Sequence, residues 1–158
     1  MKIALAADHA GYPLKQHMVA FLKAQGHDAI DLGVNTDAVP SDYPDAASAI
    51  AHALLEGQAE RAVLVCGSGV GASIAANKYK GIYACVCHDT YSAHQGVEHD
   101  RMNVLCMGAR IVGEALAEEL VTAFLAARPS EEERHQRRFG KIVAIENENS
   151  AINSPSSL

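Results

Sequence analysis

Short apolar runs alternate with segments of helical periodicity along residues 2–126, and this alternation restricts the chain to a narrow set of architectures. "KIALAAD" (2–8) reads as a first strand, closed by Asp8, His9 and Gly11. Leu14, Met18, Phe21 and Leu22 follow at i, i+4, i+7 and i+8, the stripe of an amphipathic helix ending near Gly26. "DAIDLG" (28–33) is a second strand. A polar loop with Pro40, Tyr43 and Pro44 then leads into a helix that Asp42 or Asp45 can cap. Ala47, Ile50, Ala51 and Leu54 give that helix its buried stripe.

Ala62 to Cys66 form a third strand; "IYACVC" (82–87) and "VLCMGA" (104–109) form a fourth and a fifth, with a short helix between them. Leu116, Leu120, Val121 and Phe124 mark another helix, stopped before Pro129, and a last helix is predicted to start near Ser130. "NENSAINSPSSL" lacks periodicity and reads as a polar, disordered tail, so the predicted division is one domain over residues 1–147 and a tail over 148–158. Strict alternation of strand and helix predicts a single-domain α/β/α sandwich. Its centre is a doubly wound, Rossmann-like sheet of five parallel strands, with a C-terminal helix added.

In such sheets the working residues gather at the carboxyl ends of strands. Those ends hold Asp8 and His9, then Cys66 to Gly71, then His88 and Asp89, and finally Arg110. The third is the most informative. In "RAVLVCGSGVGASIAANK" (61–78) a buried strand ends in Cys66, and Gly67, Gly69 and Gly71 form a loop that opens a helix. A strand, a glycine loop and a helix N-terminus aim backbone N–H groups and a helix dipole at an anion. "GSGVGA" also fits the dinucleotide pattern G-x-G-x-x-[GA], with Asp89 about twenty residues on as a ribose-binding acid. That fingerprint normally follows the first strand, and here it follows the third. Glycines that only allow close helix–sheet packing are the plain alternative. Ser68 and the adjacent thiol favour a third reading, in which loop amides hold an oxyanion while Cys66 moves a proton, because a helix N-terminus favours a thiolate. Cys85, Cys87 and Cys106 read as small core residues.

Eight histidines invite a metal, but no pair has H-E-x-x-H or Cys/His ligand spacing, and no metal site is expected. His17, His27 and His52 fall on helix surfaces or ends, whereas His9 closes a strand and His99 lies in a polar segment before the fifth strand. Arg134, Arg137, Arg138 and Lys141 recur at i, i+3, i+4 and i+7, making one face of the last helix basic. Pairing with Glu131 to Glu133 is the bland reading; a small phosphorylated ligand is the functional one, since guanidinium suits phosphate. The formal net charge of −6 disfavours nonspecific nucleic acid or anionic membrane binding. With no signal-like opening segment and four cysteines lacking a C-x-x-C pair, a cytoplasmic protein with reduced thiols is expected.

Several of these motifs occur together in order: "AADHAG", "SDYPD", "VCGSGVGASIAANK", "YSAHQGVEHDRMNVLCMGAR" and "RHQRR". Over about residues 2 to 146 the chain resembles the ribose-5-phosphate isomerase B and galactose-6-phosphate isomerase family. The resemblance implies a cofactor-free aldose–ketose isomerase of a sugar phosphate. Cys66 is then the base and His99 the residue that opens the furanose ring, while the segment Gly67, Ser68, Gly69, Val70 and Gly71 cradles the enediolate. It also implies substrate contacts from Asp8, His9, Tyr43, Asp100 and Arg110, phosphate contacts from Arg134 and Arg138, and a homodimer or homotetramer with the site between subunits. Asp100 stands where the ribose-specific pattern carries asparagine, and Ala72 where other members carry a glutamate base. An aspartate there accepts but cannot donate hydrogen bonds, so pentose and hexose phosphates both stay open.

Overall fold

The computed structural model describes residues 1–152. Its elements alternate as expected: β1 (Lys2–Ala7), α1 (Tyr12–Ala24), β2 (Asp28–Asp31), α2 (Tyr43–Leu55), β3 (Arg61–Cys66), α3 (Val70–Ala76), β4 (Ala84–Val86), α4 (Thr90–Asp100), β5 (Val104–Gly108), α5 (Glu114–Ala126) and α6 (Glu133–Ile152). The five strands form one parallel sheet in the order β2-β1-β3-β5-β4. The chain winds outward from β1 to β2, then returns to place β3 on the other side of β1. That reversal opens a crevice at the carboxyl ends of β1 and β3.

The two-residue period of the strands sorts their side chains into two cores. Ile3, Leu5, Val63, Val65, Leu105 and Met107 face α1, α4 and α5, where Met18, Leu22, Leu120 and Phe124 meet them. On the opposite face Ala4, Ala6, Ala62, Leu64 and Cys66 meet α2 and α3. The second core is built largely of alanine, including Ala46, Ala47, Ala51, Ala72 and Ala76, so these helices ride close to the sheet. Cys66 therefore sits beneath α3, the helix its own loop introduces.

The structure revises several expectations. The fourth strand spans only Ala84–Val86, because side chains do the pairing around it. Asn77 clasps both backbone groups of Ala84 (2.7 and 2.8 Å), and Asn103 binds the Tyr83 amide and the Gly81 carbonyl. With one neighbouring strand, β4 leaves Cys85 exposed, whereas Cys87 and Cys106 are buried as expected. The helix before β5, expected to be short, has 11 residues, and it places His99 and Asp100 of the polar segment in its last turn. Asp42 occupies the first cap of α2 without a side-chain cap bond.

The last helix begins at Glu133, not Ser130, because the Ser130 amide bonds the Glu98 carbonyl (2.8 Å) at the end of α4. It continues through Ile152, into the segment read from sequence as a tail; residues 153–158 lie outside the described residues. Its inner face is fastened by Tyr83 edge-on to Phe139 and by Glu146, which accepts from the Gly81 amide at 2.8 Å.

Candidate active site

Each strand end around the crevice is shaped by short-range chemistry. After β1, Asp8 is buried and its carboxylate accepts the Gly11 amide at 2.9 Å, turning the chain into α1. A side chain at Gly11 would place its Cβ 2.4 Å from the Val65 carbonyl oxygen, so only glycine lets this turn lie against β3. His9 is held from outside its own strand: its amide donates to Ser41 Oγ at 2.8 Å, and the Ser41 amide donates to His9 Nδ1 at 3.0 Å. Nδ1 also lies 3.1 Å from the Ser41 carbonyl, so both backbone groups of Ser41 hold the imidazole at the crevice rim.

After β3, Gly69 adopts a left-handed conformation (φ 81°) and threads past the Met107 backbone, where a Cβ would lie 3.1 Å from the carbonyl carbon. The turn brings the Gly69 amide within 3.1 Å of the Cys66 sulfur, and α3 starts at the next residue. The β3–β5 ladder runs on beyond the strands, with the Ala109 amide on the Cys66 carbonyl (2.8 Å) and the Arg110 amide on the Gly67 carbonyl (3.1 Å). Arg110 is thereby laid over Gly67, its guanidinium 3.5 Å from where a Cβ would stand. The Tyr43 ring fills the space of the missing side chain at Gly71.

The result is a cavity of about 310 Å³ lined by Asp8, His9, Tyr43, Cys66, Ser68 and Arg110 together with Gly67 and Gly71, while Gly69 and Val70 of the same loop stand outside its lining. It holds a thiol, an imidazole, a guanidinium and loop amides around one open volume. Such a set can stabilise an oxyanion while a proton moves between adjacent atoms.

Four of the predicted site residues stand elsewhere. His99 stacks on His135 with ring centroids 3.8 Å apart and planes 20° apart, where α4 meets α6. Burial, with His99 and Arg134 nearby, holds His135 below the ordinary imidazole range. Asp100 lines a separate cavity beside Cys85. Arg134 pairs with Glu132 (2.8 Å) and Arg137 with Glu133 (2.7 Å), so the acidic pairing expected of a solvated face is partly realised; Arg138 has no ion pair among the described residues. None of His99, Asp100, Arg134 and Arg138 lines the crevice of its own chain.

The dinucleotide reading loses its acid. Asp89 caps α4 by accepting the Ser92 amide at 2.7 Å, which holds its carboxyl below the usual range, and β5 separates β4 from β3. Ser41 and His135 were not singled out from sequence as parts of a site, and His88 was read only as a residue at the end of the fourth strand. His88 accepts the Gly108 amide at 3.0 Å, and Gly108 packs on the Ser68 backbone. "SDYPD" does contain Ser41, but nothing local says that it reaches His9 across 32 residues. Among the described residues no group of three or more His, Cys, Asp or Glu side chains could hold a metal ion, and no helix is long and apolar enough to cross a membrane.

An open parallel sheet with a thiol and a glycine loop at its switch point places the chain among the α/β enzymes. The chain belongs to the ribose/galactose isomerase family, whose model matches residues 3–142. It is 46% identical over 145 residues to ribose-5-phosphate isomerase B of Escherichia coli K12, covering 92% of this chain and 96% of that protein. Ribose-5-phosphate isomerase B of Clostridium thermocellum superposes with a TM-score of 0.90 at 42% identity, covering 94% of this chain and 99% of that one. The enzyme of Mycoplasma genitalium, solved with bound ribulose-5-phosphate, gives a TM-score of 0.87 at 37% identity over 93% of this chain and 97% of that one.

Proposed function

We propose that this protein interconverts ribose 5-phosphate and ribulose 5-phosphate through an enediolate, without a cofactor, as a cytoplasmic enzyme whose working part is residues 1–147. The observation that carries the reading is the Cys66 thiol set 3.1 Å from the Gly69 amide at the rim of a crevice small enough for one sugar phosphate. Cys66 takes the proton from C2 of the open-chain aldose and returns it to C1. The amides of Gly67 to Gly71 and the Ser68 hydroxyl hold the oxygen that gains charge, a role in which one donor contributes about 3–4 kcal/mol. Asp8, His9, Tyr43 and Arg110 orient the sugar hydroxyls and chain.

Ring opening and phosphate binding fall to residues that lie outside this crevice. We assign them to a second copy: His99 of the partner subunit opens the furanose by proton transfer, Asp100 of the partner subunit accepts from a hydroxyl, and Arg134 and Arg138 of the partner subunit hold the phosphate. Support comes from the split itself, with one half of the predicted set around the crevice and the other half at the α4–α6 junction. Binding the phosphate away from the reacting carbons supplies positioning energy.

The test is a turnover screen of purified protein against pentose and hexose phosphates, with ketose formation followed by NMR. Conversion of ribose 5-phosphate, abolished in a folded Cys66→Ala variant, is the expected outcome. Turnover only of a hexose 6-phosphate would transfer the assignment to that substrate class, which the acceptor-only Asp100 also suits. Full activity in Cys66→Ala would remove the base.

A further inference from the structure

His88 stands where the fourth strand gives out, and the proposed reaction does not use it. β4 pairs with β5 as far as Val86 beside Cys106, and the Cys87 amide still reaches the Cys106 carbonyl at 3.2 Å. The chain then turns away, because Asp89 caps α4. The next donor along β5, the amide of the buried Gly108, is met by a side chain instead: His88 Nε2 accepts it at 3.0 Å.

The Met107–Gly108 peptide is the floor on which the glycine loop rests. A Cβ on Gly69 would lie 3.3 Å from the Gly108 nitrogen and 3.1 Å from the Met107 carbonyl carbon. A Cβ on Gly108 would lie 2.7 Å from the carbonyl carbon and oxygen of Ser68. Glycine at both positions lets loop and strand touch backbone to backbone. With no side chain between them to give way, a tilt of that peptide passes straight to Ser68 and Gly69. The Gly69 amide, 3.1 Å from the Cys66 sulfur, moves with it. Gly108 also opens the turn that lays Arg110 over Gly67, its carbonyl accepting the Ile111 and Val112 amides at 2.9 and 3.0 Å.

We infer that His88 is a positioning residue of the reaction: its imidazole fixes the Met107–Gly108 peptide, and through it the placement of the loop donors against Cys66. The inference rests on the proposed role of that loop as the enediolate cradle. His88 does not line the crevice of its own chain, so it acts through Gly108 and not on the sugar. An amide only donates, so Nε2 is the bare nitrogen and the neutral ring carries its proton on Nδ1. A side chain without an acceptor at position 88 leaves the buried Gly108 N–H unpaired, and the peptide tilts toward another acceptor.

The experiment compares His88→Leu and His88→Gln in the full-length protein, by turnover of ribose 5-phosphate and by amide NMR. Leucine fills a similar space without an acceptor, whereas glutamine sets Oε1 as many bonds from Cβ as Nε2 is. In His88→Leu kcat is expected to fall about 10–10²-fold with KM nearly unchanged, the cost of a small misplacement beside a reacting centre. Its Gly108 amide should exchange faster with deuterium, and the Ser68 and Gly69 amide shifts should move. His88→Gln should restore kcat, protection and shifts together. Wild-type kcat in a folded His88→Leu protein overturns the inference. So does a His88→Gln protein that regains Gly108 protection without regaining kcat, since the reaction then needs the ring itself. Nitrogen-15 spectra of the wild type in mildly alkaline buffer should show Nε2 of His88 unprotonated, and a proton there overturns the inference without any variant. If the wild type turns over no sugar phosphate, the proposed reaction fails, and the Ser68 and Gly69 shifts still decide the coupling: unmoved in His88→Leu, they overturn it.

Discussion

The Gly69 amide stands 3.1 Å from the Cys66 sulfur, and Gly69 can do this only because its φ of 81° turns the loop back over the end of β3. One residue thus supplies both the turn and a donor to the group assigned as base. Cys66→Ala removes the base and is expected to lower kcat by about 10²–10⁴-fold while leaving the urea midpoint nearly unchanged. Gly69→Ala keeps the thiol but meets the Met107 backbone and a left-handed conformation that costs about 1–2 kcal/mol. It should lower both stability and kcat. Wild-type kcat in a folded Gly69→Ala protein would detach the loop from catalysis.

Lys15 is completely enclosed, although it follows Leu14 on a helix where a lysine reads as solvated surface. Its ammonium reaches Asp31 at 2.5 Å, the Leu32 carbonyl at 3.0 Å and the Val34 carbonyl at 2.7 Å, tying α1 to the chain that leaves β2. That chain continues to Ser41, which holds His9. Lys15→Met leaves two carbonyls without their donor, at about 1–3 kcal/mol each for buried groups. Asp31, more than one-third exposed, stays hydrated and adds little. A loss of about 3 kcal/mol in urea unfolding is expected, with a rise in KM from the loosened His9. Unchanged stability would mean that water replaces the ammonium.

These residues show where sequence reading stops. Apolar runs located the five strands and periodic stripes the helices α1, α2 and α5, whereas α3 was read from the glycine loop that opens it, and α4 and α6 were expected without their true lengths. The order that puts β5 between β3 and β4 was not legible, and with it went Asp89, which sits too far across the sheet to serve the loop. Cys85 looks like core in "IYACVC", and only its place on the outermost strand exposes it. Lys15 and Ser41 act through contacts 16 and 32 residues away, which no local pattern encodes. His99 was singled out by its chemistry and motif, but its stacking on His135 depends on how α6 returns to α4.

That stacking makes stability depend on pH. His135 is held below its ordinary 6.5 by burial, then by His99 and Arg134, with Glu132 opposing and Arg138 adding to the depression. Between its folded value and 6.5 the unfolded chain binds a proton that the folded chain refuses, so the contribution of His135 to stability is full above 6.5 and is lost as pH falls below 6.5 through the lowered folded value. In His135→Phe, which keeps a flat ring against His99, thermal unfolding should lose this slope. Equal slopes in wild type and variant, measured by circular dichroism at pH 7.5 and 5.5, would exclude His135 as the source.

The division of the predicted residues between the crevice and the α4–α6 junction has a consequence for mixtures of variants. If each site takes Cys66 from one subunit and His99 from the other, Cys66→Ala and His99→Ala proteins are each inactive for a different reason. A mixed dimer then contains one site with both defects and one with neither. Refolding equal amounts together makes half the dimers mixed, so about a quarter of wild-type turnover should return. Mixing Cys66→Ala with Ser68→Ala is the control, because both changes fall in the same half-site and no intact site can form. Recovery in the first mixture and none in the second is the expected pattern. If neither mixture recovers activity while size-exclusion chromatography confirms exchange of subunits, the His99 of each chain must serve its own crevice, and α6 would have to move to bring it there.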